Sequence, residues 1–195
     1  MPAPRCATCA LPLPSGHTCG ACLERAPRYD CITAAAPYAF PVDKLVQAFK
    51  YGGDLSLARL LAGALGRAVV RDVDAIIPMP LAPPRLCERG FNQAQELARH
   101  LGATLDLPVL TRACRKVTDT AAQAGLPFSE RALNVRGAFV CDADLRGMRV
   151  AIVDDVMTTG ATLHELATNL KHAGAVHVSG WVVARTLRDG VRAPT

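Results

Sequence analysis

Apolar residues recur at spacings of three and four in several segments, and this pattern predicts amphipathic helices. The predicted helices cover residues 42–50, 55–70, 91–101 and 162–173. Other segments are short, apolar and rich in β-branched residues, which is typical of buried strands. The predicted strands cover residues 73–78, 107–110, 138–141, 150–153 and 176–184.

Strands and helices alternate from residue 32 onward, and this order predicts an α/β fold with a mostly parallel sheet and helices on both faces. The first 31 residues differ, because they are rich in proline, glycine and cysteine and lack a clear period. We therefore predict a small metal-binding segment over residues 1–31, which we call the cysteine segment, and an α/β domain over residues 32–195.

Four of the eight cysteines form two C-x2-C pairs near the start of the chain: Cys6, Cys9, Cys19 and Cys22. Two such pairs place four thiolates on tight turns, which is typical of a structural Zn2+ site. The segment is too short to fold by apolar burial alone, so metal binding would stabilise it. Free or redox-active thiols are the alternative, and His17 or Cys31 could replace one ligand. The other cysteines occur singly and are interpreted as small buried apolar residues.

Composition and charge restrict the possible locations and partners. The chain has 195 residues, half of them hydrophobic, which is enough for a sizeable core. No apolar run approaches the roughly 18 residues of a membrane span, and the first residues lack the order of a secretory signal. We therefore expect a cytoplasmic protein without membrane insertion. The formal net charge of +5 is compatible with an anionic partner but identifies none.

The segment VAIVDDVMTTGAT, residues 150–162, joins a predicted buried strand to a predicted helix. A helix N-terminus presents unpaired N–H groups and a partial positive charge, which suit a phosphate. Gly160 allows close approach of the backbone, and three hydroxyl side chains add donors: Thr158, Thr159 and Thr162.

The acidic pair Asp154 and Asp155 precedes this turn and would repel a phosphate. Such carboxylates instead suit vicinal hydroxyls, or a divalent cation held through water. A ligand with a phosphate and a cis-diol is a ribose 5-phosphate. The segment is neither a GxxxxGK[ST] loop nor a GxGxxG fingerprint. An acidic strand end followed by a threonine-rich helix cap is the alternative interpretation.

VAIVDDVMTTGAT resembles the phosphoribosyl pyrophosphate (PRPP) loop of the type I phosphoribosyltransferases. The remaining segments are similar to the ComF/GntX family of competence-associated, phosphoribosyltransferase-like proteins. They are the cysteine pairs, FKYGGD (49–54), PMPLAPPRLCERGFNQAQELA (78–98) and RKVTDTAAQAGLPFSERALNVRGAF (115–139). The resemblance extends from Cys6 to about Arg185 and implies the type I phosphoribosyltransferase fold.

The resemblance also implies roles for individual residues. Asp154 and Asp155 would contact the ribose hydroxyls, and the loop after them would hold the 5-phosphate. The loop residues are Met157, Thr158, Thr159, Gly160, Ala161 and Thr162. The turn after the strand at 73–78 would face the pyrophosphate through Pro78, Met79, Pro80 and Leu81.

Basic residues further along could add donors to the same ligand. Arg85 and Arg89 follow the predicted pyrophosphate turn, and their forked guanidinium groups suit a diphosphate. A surface position ahead of a helix is the alternative for Arg89. Residues 111–136 form a long stretch of weak periodicity, and the resemblance implies a lid over PRPP that includes Arg115 and Lys116. A solvated basic patch is the alternative for this pair.

Two functions follow from the resemblance. The first is a PRPP-binding protein with a role in DNA uptake during natural transformation or in DNA utilisation, carrying structural Zn2+ and taking Mg2+ with PRPP. Its cysteine segment would contact single-stranded DNA or a DNA-translocating ATPase. The alternative is an active phosphoribosyltransferase acting on an unidentified nucleobase or other acceptor.

Several points stay open in the sequence. No segment is typical of a nucleobase-binding hood, so the sequence does not define the acceptor or the catalytic residues. Lys50 and Tyr51 lie in a family-like segment without a role that can be derived. A homo-oligomer is also left open.

Overall fold

The structure is a computed structural model that describes residues 4–13, 15, 17–52, 54–117 and 136–187. Its helices are α1 (Gly20–Glu24), α2 (Val42–Tyr51), α3 (Ser56–Gly66), α4 (Pro83–Arg89), α5 (Gln93–Leu105) and α6 (Ala161–His172). Its strands are β1 (Cys31–Pro37), β2 (Ala75–Pro78), β3 (Cys114–Lys116), β4 (Phe139–Cys141), β5 (Arg149–Met157) and β6 (His177–Arg185).

Four strands form a parallel sheet in the order β1-β6-β5-β2, which confirms the predicted α/β fold. The central strands β5 and β6 are largely buried on both faces and consist mostly of apolar residues, as expected for a parallel sheet covered on both sides. Because all four strands run in the same direction, their carboxyl ends meet at one edge. The turns after β2 and β5 therefore lie side by side at that edge.

Alternate residues of β5 face two different hydrophobic clusters. Val150 and Ile152 pack with α6 and with the cysteine segment, whereas Ala151 and Val153 pack with α2, α3 and α5. The cysteine segment thus shares one hydrophobic cluster with the sheet. The predicted division of the chain at residue 31 stays a prediction.

The helix that follows the β2 turn has clear start and stop signals. Asn92 caps α5, because its side-chain oxygen accepts hydrogen bonds from the backbone N–H groups of Ala94 and Gln95. Gly90, with φ of 76°, ends α4 in the left-handed region and lets the chain turn directly into α5. In the sequence, Asn92 with Gln95 three positions later resembles a capping box, and the structure confirms the cap that this pattern predicts.

The structure corrects the prediction at several elements. Residues 107–110 do not form a strand, because Val109 makes only an isolated bridge to Ile76 and Pro108 has no N–H to donate. β5 continues to Met157, so the acidic pair lies inside the strand and not at its tip. Four elements were missed: α1, β1, α4 and β3. Within the described residues, no helix combines the length and apolar composition needed to cross a bilayer.

Candidate functional site

The acidic pair of β5 is divided between the two faces of the sheet, because adjacent strand residues point in opposite directions. Asp155 is 7% exposed and forms an ion pair with Lys50 of α2, whose nitrogen lies 3.0 Å from Oδ1. Burial alone would lower the pKa of Lys50, but the charges of Asp155 and Asp154 raise it above its usual value. Lys50, for which the sequence suggested no role, is therefore a charged neighbour of the acidic pair.

Asp154 has a different environment on the other face. Its Oδ1 accepts a hydrogen bond from the backbone N–H of Asp155 at 2.8 Å. Burial and the neighbouring carboxylate of Asp155 raise the pKa of Asp154 to about 7, although Lys50 and Lys116 oppose the shift. The two adjacent carboxyl groups thus differ in chemistry: one is neutralised by an ammonium group, and the other can exchange a proton near neutral pH.

The turn after β5 is a tight loop that opens α6. Gly160 has φ of 84° and is the residue before the first helical position, Ala161. A Cβ at Gly160 would lie 2.5 Å from Cε of Met157 and 3.0 Å from the hydroxyl of Tyr29, so the position admits only glycine without strain. The hydroxyl of Thr159 accepts a hydrogen bond from the N–H of Ala161 at 3.1 Å. Thr158 and Thr162 are both half-buried.

The turn after β2 lies next to this loop. Pro78 is in register with Val153, and the N–H of Met79 donates to the carbonyl of Val153 at 2.9 Å. The side chain of Asn92 donates to the carbonyl of Met79 at 3.1 Å, which fixes the turn to the start of α5. Pro80 and Leu81 are half-buried and lead into α4. The structure thus brings the predicted pyrophosphate turn beside the acidic pair.

Basic side chains from three elements approach this edge. The guanidinium of Arg89 lies 5.5 Å from the ring centroid of Tyr51 and donates to Gln93 Oε1 at 3.1 Å. Arg89 is also close enough to Lys50 to oppose its protonation. Lys116 of β3 lies close enough to Asp154 to lower the pKa of that carboxyl.

The other two predicted basic residues, Arg115 and Arg85, have different surroundings. Arg115 points to the opposite face of β3 from Lys116 and donates to Asp142 Oδ2 at 3.2 Å, with both side chains largely exposed. Arg85 is half-buried on α4. Residues 118–135 of the predicted lid lie outside the described part of the chain.

The site geometry is accompanied by similarity to known proteins. Residues 86–190 match the phosphoribosyl transferase domain family. Competence protein F of Haemophilus influenzae is 36% identical over 195 residues, which cover 93% of this chain and 85% of that protein. The chain belongs to the ComF family.

Two further relatives have lower sequence identities to this chain than competence protein F has. DNA utilization protein YhgH of Salmonella typhi is 34% identical over 201 residues, with 93% of this chain and 84% of that protein covered. Competence protein ComFC of Streptococcus pneumoniae is 27% identical over 139 residues, with 70% of this chain and 60% of that protein covered. The resemblance inferred from the sequence is confirmed.

This ComF-family chain also carries a compact cluster of thiols. The sulfur atoms of Cys6, Cys9, Cys19 and Cys22 all lie within 4.8 Å of one another. Cys9 Sγ and Cys19 Sγ are 3.6 Å apart, close to the sulfur spacing of about 3.8 Å that tetrahedral Zn–S bonds of about 2.3 Å require. The four residues therefore fit a structural Zn2+ ion, as predicted from their spacing.

Hydrogen bonds from backbone N–H groups lower the pKa of one of these thiols, that of Cys6. The N–H of Cys19 donates to Cys6 Sγ at 3.3 Å. Burial by itself would raise the pKa of Cys6, but hydrogen bonds from backbone N–H groups lower it to about 6. A thiolate is the form that binds Zn2+, so these hydrogen bonds favour the ligand state of Cys6 at neutral pH, whereas burial raises the pKa of Cys9 to about 11.

Arg185 is a further residue of the site that the sequence did not identify. It is 6% exposed at the carboxyl end of β6, and its Nη1 donates to the carbonyls of Met157 and Thr158 in the loop that opens α6. The available signal was a guanidinium at the end of a mostly apolar strand. Its partners could not be predicted, because they lie on distant segments.

Proposed function

We propose that this edge of the sheet binds PRPP or a related ribose 5-phosphate. The observation that supports the proposal best is the acidic pair, in which Asp155 is ion-paired with Lys50 and which comes shortly before the glycine loop at the start of α6. A helix N-terminus suits the 5-phosphate, and a carboxylate suits the ribose hydroxyls. The adjacent β2 turn and Arg89 would face the pyrophosphate.

Mg2+ is part of this proposal, and the carboxylates present allow it. Asp154 is partly exposed and is suited to hold a hydrated cation, which would neutralise pyrophosphate charge. Asp155 already contacts the ammonium group of Lys50, so a cation bound directly to Asp155 would compete with Lys50. We therefore assign the contact with hydrated Mg2+ to Asp154.

Calorimetry with Mg-PRPP tests the site. Asp155→Asn should weaken binding by at least about tenfold, because a charged hydrogen-bond partner is lost and Lys50 is left unpaired. Asp144→Asn is the matched control, since Asp144 pairs with Arg146 on an exposed surface. Equal affinities for the wild type and Asp155→Asn would refute the assignment.

The proposed cellular role is DNA uptake or DNA utilisation in the cytoplasm. Support comes from the relatives, one named competence protein F and another named DNA utilization protein. In this role the cysteine segment would contact single-stranded DNA or a DNA-translocating ATPase. Direct DNA contact predicts oligonucleotide binding that weakens steeply as salt is raised, measured by fluorescence anisotropy. Absence of oligonucleotide binding at low salt would exclude direct DNA contact and favour the DNA-translocating ATPase as the partner.

An active phosphoribosyltransferase is the second candidate, and the raised pKa of Asp154 favours it. In this candidate Asp154 would accept a proton from the acceptor nucleophile, while pyrophosphate leaves, instead of contacting hydrated Mg2+, and a carboxyl with a pKa of about 7 is suited to that role. Pyrophosphate release from PRPP, screened over nucleobases and cell extract, tests this candidate. Turnover that is abolished by Asp154→Asn would support it, and absence of turnover with every acceptor would favour the binding role.

A further inference from the structure

The cysteine segment contacts the loop between β5 and α6 through one buried side chain. Arg185 Nε donates to the carbonyl of Cys9 at 3.1 Å, while Nη1 donates to the carbonyl of Met157 at 3.1 Å and also to that of Thr158. One rigid guanidinium therefore joins a residue of the thiol cluster to two successive peptide groups of the loop. A fork of fixed donors holds these groups in a defined relative position.

Two more contacts join the same parts of the molecule. The hydroxyl of Tyr29 lies where it would be 3.0 Å from a Cβ at Gly160, so the ring borders the loop directly. The backbone N–H of Arg28 donates to Nδ1 of His164, in the first turns of α6, at 3.2 Å. The cysteine segment therefore supports the loop and the beginning of the helix from one side.

The geometry of the peptide group shows what Arg185 does to the loop. In a trans peptide the C=O and the following N–H point in opposite directions. The carbonyl of Met157 accepts from Arg185 Nη1 and also from the N–H of Thr186 at 3.0 Å, whereas Arg185 holds the carbonyl of Thr158. Because both carbonyls point toward Arg185, the N–H groups of Thr158 and Thr159 point away from it and are directed as donors toward the opposite side of the loop.

We propose that Arg185 is a positioning residue that couples Zn2+ occupancy of the thiol cluster to ligand affinity of the loop. The inference rests on the proposed function of that loop. Zn2+ bound to four thiolates forms a doubly negative cluster that fixes the turn bearing the Cys9 carbonyl and attracts the guanidinium. Loss of the metal releases that carbonyl, and the loop peptides lose part of the constraint on their orientation.

Coupling of this kind is reciprocal, so PRPP must tighten Zn2+ binding by the same factor by which Zn2+ tightens PRPP binding. The test is chelator competition for Zn2+ on the metal-loaded full chain, with and without Mg-PRPP. In the wild type we expect PRPP to raise Zn2+ affinity by about tenfold. In Arg185→Met the ratio should fall to about one, while Arg146→Met, an exposed arginine, should keep the wild-type ratio.

Arg185→Lys provides a second variant that keeps the charge but not the fork. It should fold and hold Zn2+, yet lose most of the coupling, because a single ammonium cannot bridge Cys9 to both loop carbonyls. Equal ratios in the wild type and in Arg185→Lys would overturn the inference. PRPP binding to the wild type without any change in Zn2+ affinity would also overturn it. Absence of PRPP binding to the metal-loaded wild type would refute the proposed function and this inference together.

Discussion

Lys50 and Asp155 form a largely buried ion pair that joins α2 to strand β5 of the sheet. The nitrogen of Lys50 lies 3.0 Å from Oδ1 of Asp155. Lys50 neutralises the charge of Asp155, whereas burial and the neighbouring charge of Asp155 raise the pKa of Asp154 to about 7. The ion pair also explains why the lysine of the FKYGGD segment lies at the end of α2, where its side chain reaches β5.

Lys50→Met should destabilise the fold by roughly 2 kcal/mol, because Asp155 would remain buried without its cation. Asp155→Asn in the Lys50→Met background should recover part of the loss. Urea denaturation of the four proteins in a double-mutant cycle measures the coupling. Lys44→Met, on an exposed face of α2, is the control and should change stability by less than about 0.5 kcal/mol. A coupling energy near zero would contradict the importance of the pair.

Asp154→Asn should become more stable relative to the wild type as pH rises. The folded-state pKa of Asp154 is about 7, against 3.8 for an ordinary aspartate, so the folded state binds more protons between these values. The contribution of Asp154 to the free energy of unfolding therefore falls as pH rises through this window, and the loss is complete above it.

Asparagine cannot ionise, so the stability difference between Asp154→Asn and the wild type should grow from about pH 5 to about pH 8. Urea denaturation of both proteins across that range measures the difference. Since both carry the same thiol cluster, the effect of pH on metal binding cancels. A difference independent of pH would show that the carboxyl titrates normally.

Cys19→Ser should remove one zinc per chain and loosen residues 4–30. These residues contribute Cys6, Cys9, Ala10 and Leu11 to the cluster that packs β1 and β5, so the loss should also lower the stability of the sheet. Elemental analysis and amide hydrogen exchange give the two measurements. Cys87→Ser, at an exposed position on α4, is the control and should retain the metal. A fully protected N-terminal segment without zinc would exclude the metal's structural role.

Gly160→Ala should cost about 1–3 kcal/mol and weaken PRPP binding, because φ of 84° is strained for alanine and its Cβ would crowd Met157 and Tyr29. Gly63→Ala should instead stabilise the chain by about 0.5–1 kcal/mol, since Gly63 lies inside α3 with ample space for a methyl group. Thermal denaturation and calorimetry distinguish the two outcomes. Equal effects at both positions would contradict the constraint on the loop.

The site could be predicted from the sequence where its parts are adjacent in the chain. The β5–loop–α6 unit is local: an apolar run, two carboxylates, hydroxyl residues and a glycine follow one another within residues 150–162. The thiol cluster is also local, since the spacing of its cysteines is itself the signal. Asn92 carried a recognisable capping pattern for the same reason.

The parts that depend on distant contacts could not be predicted. Lys50 reaches Asp155 only because α2 packs on one face of β5, and Arg185 reaches Cys9 only because β6 ends beside the cysteine segment. The length of β5 was also underestimated, because charge at Asp154 suggested a strand end. Pairing with β6 continues to Met157 and outweighs that local signal.

The position of β6 has a consequence for how the protein is made. β6 is the last described strand along the chain, yet it lies between β1 and β5, and among the described strands it is the only one that pairs with β1. A nascent chain leaving the ribosome therefore holds β1 without a neighbour until residues 177–185 emerge. The cysteine segment is synthesised first and could bind Zn2+ early. The sheet, in contrast, can be completed only after translation has passed Arg185. Until then the edges of β1 and β5 that pair with β6 are exposed to chaperones.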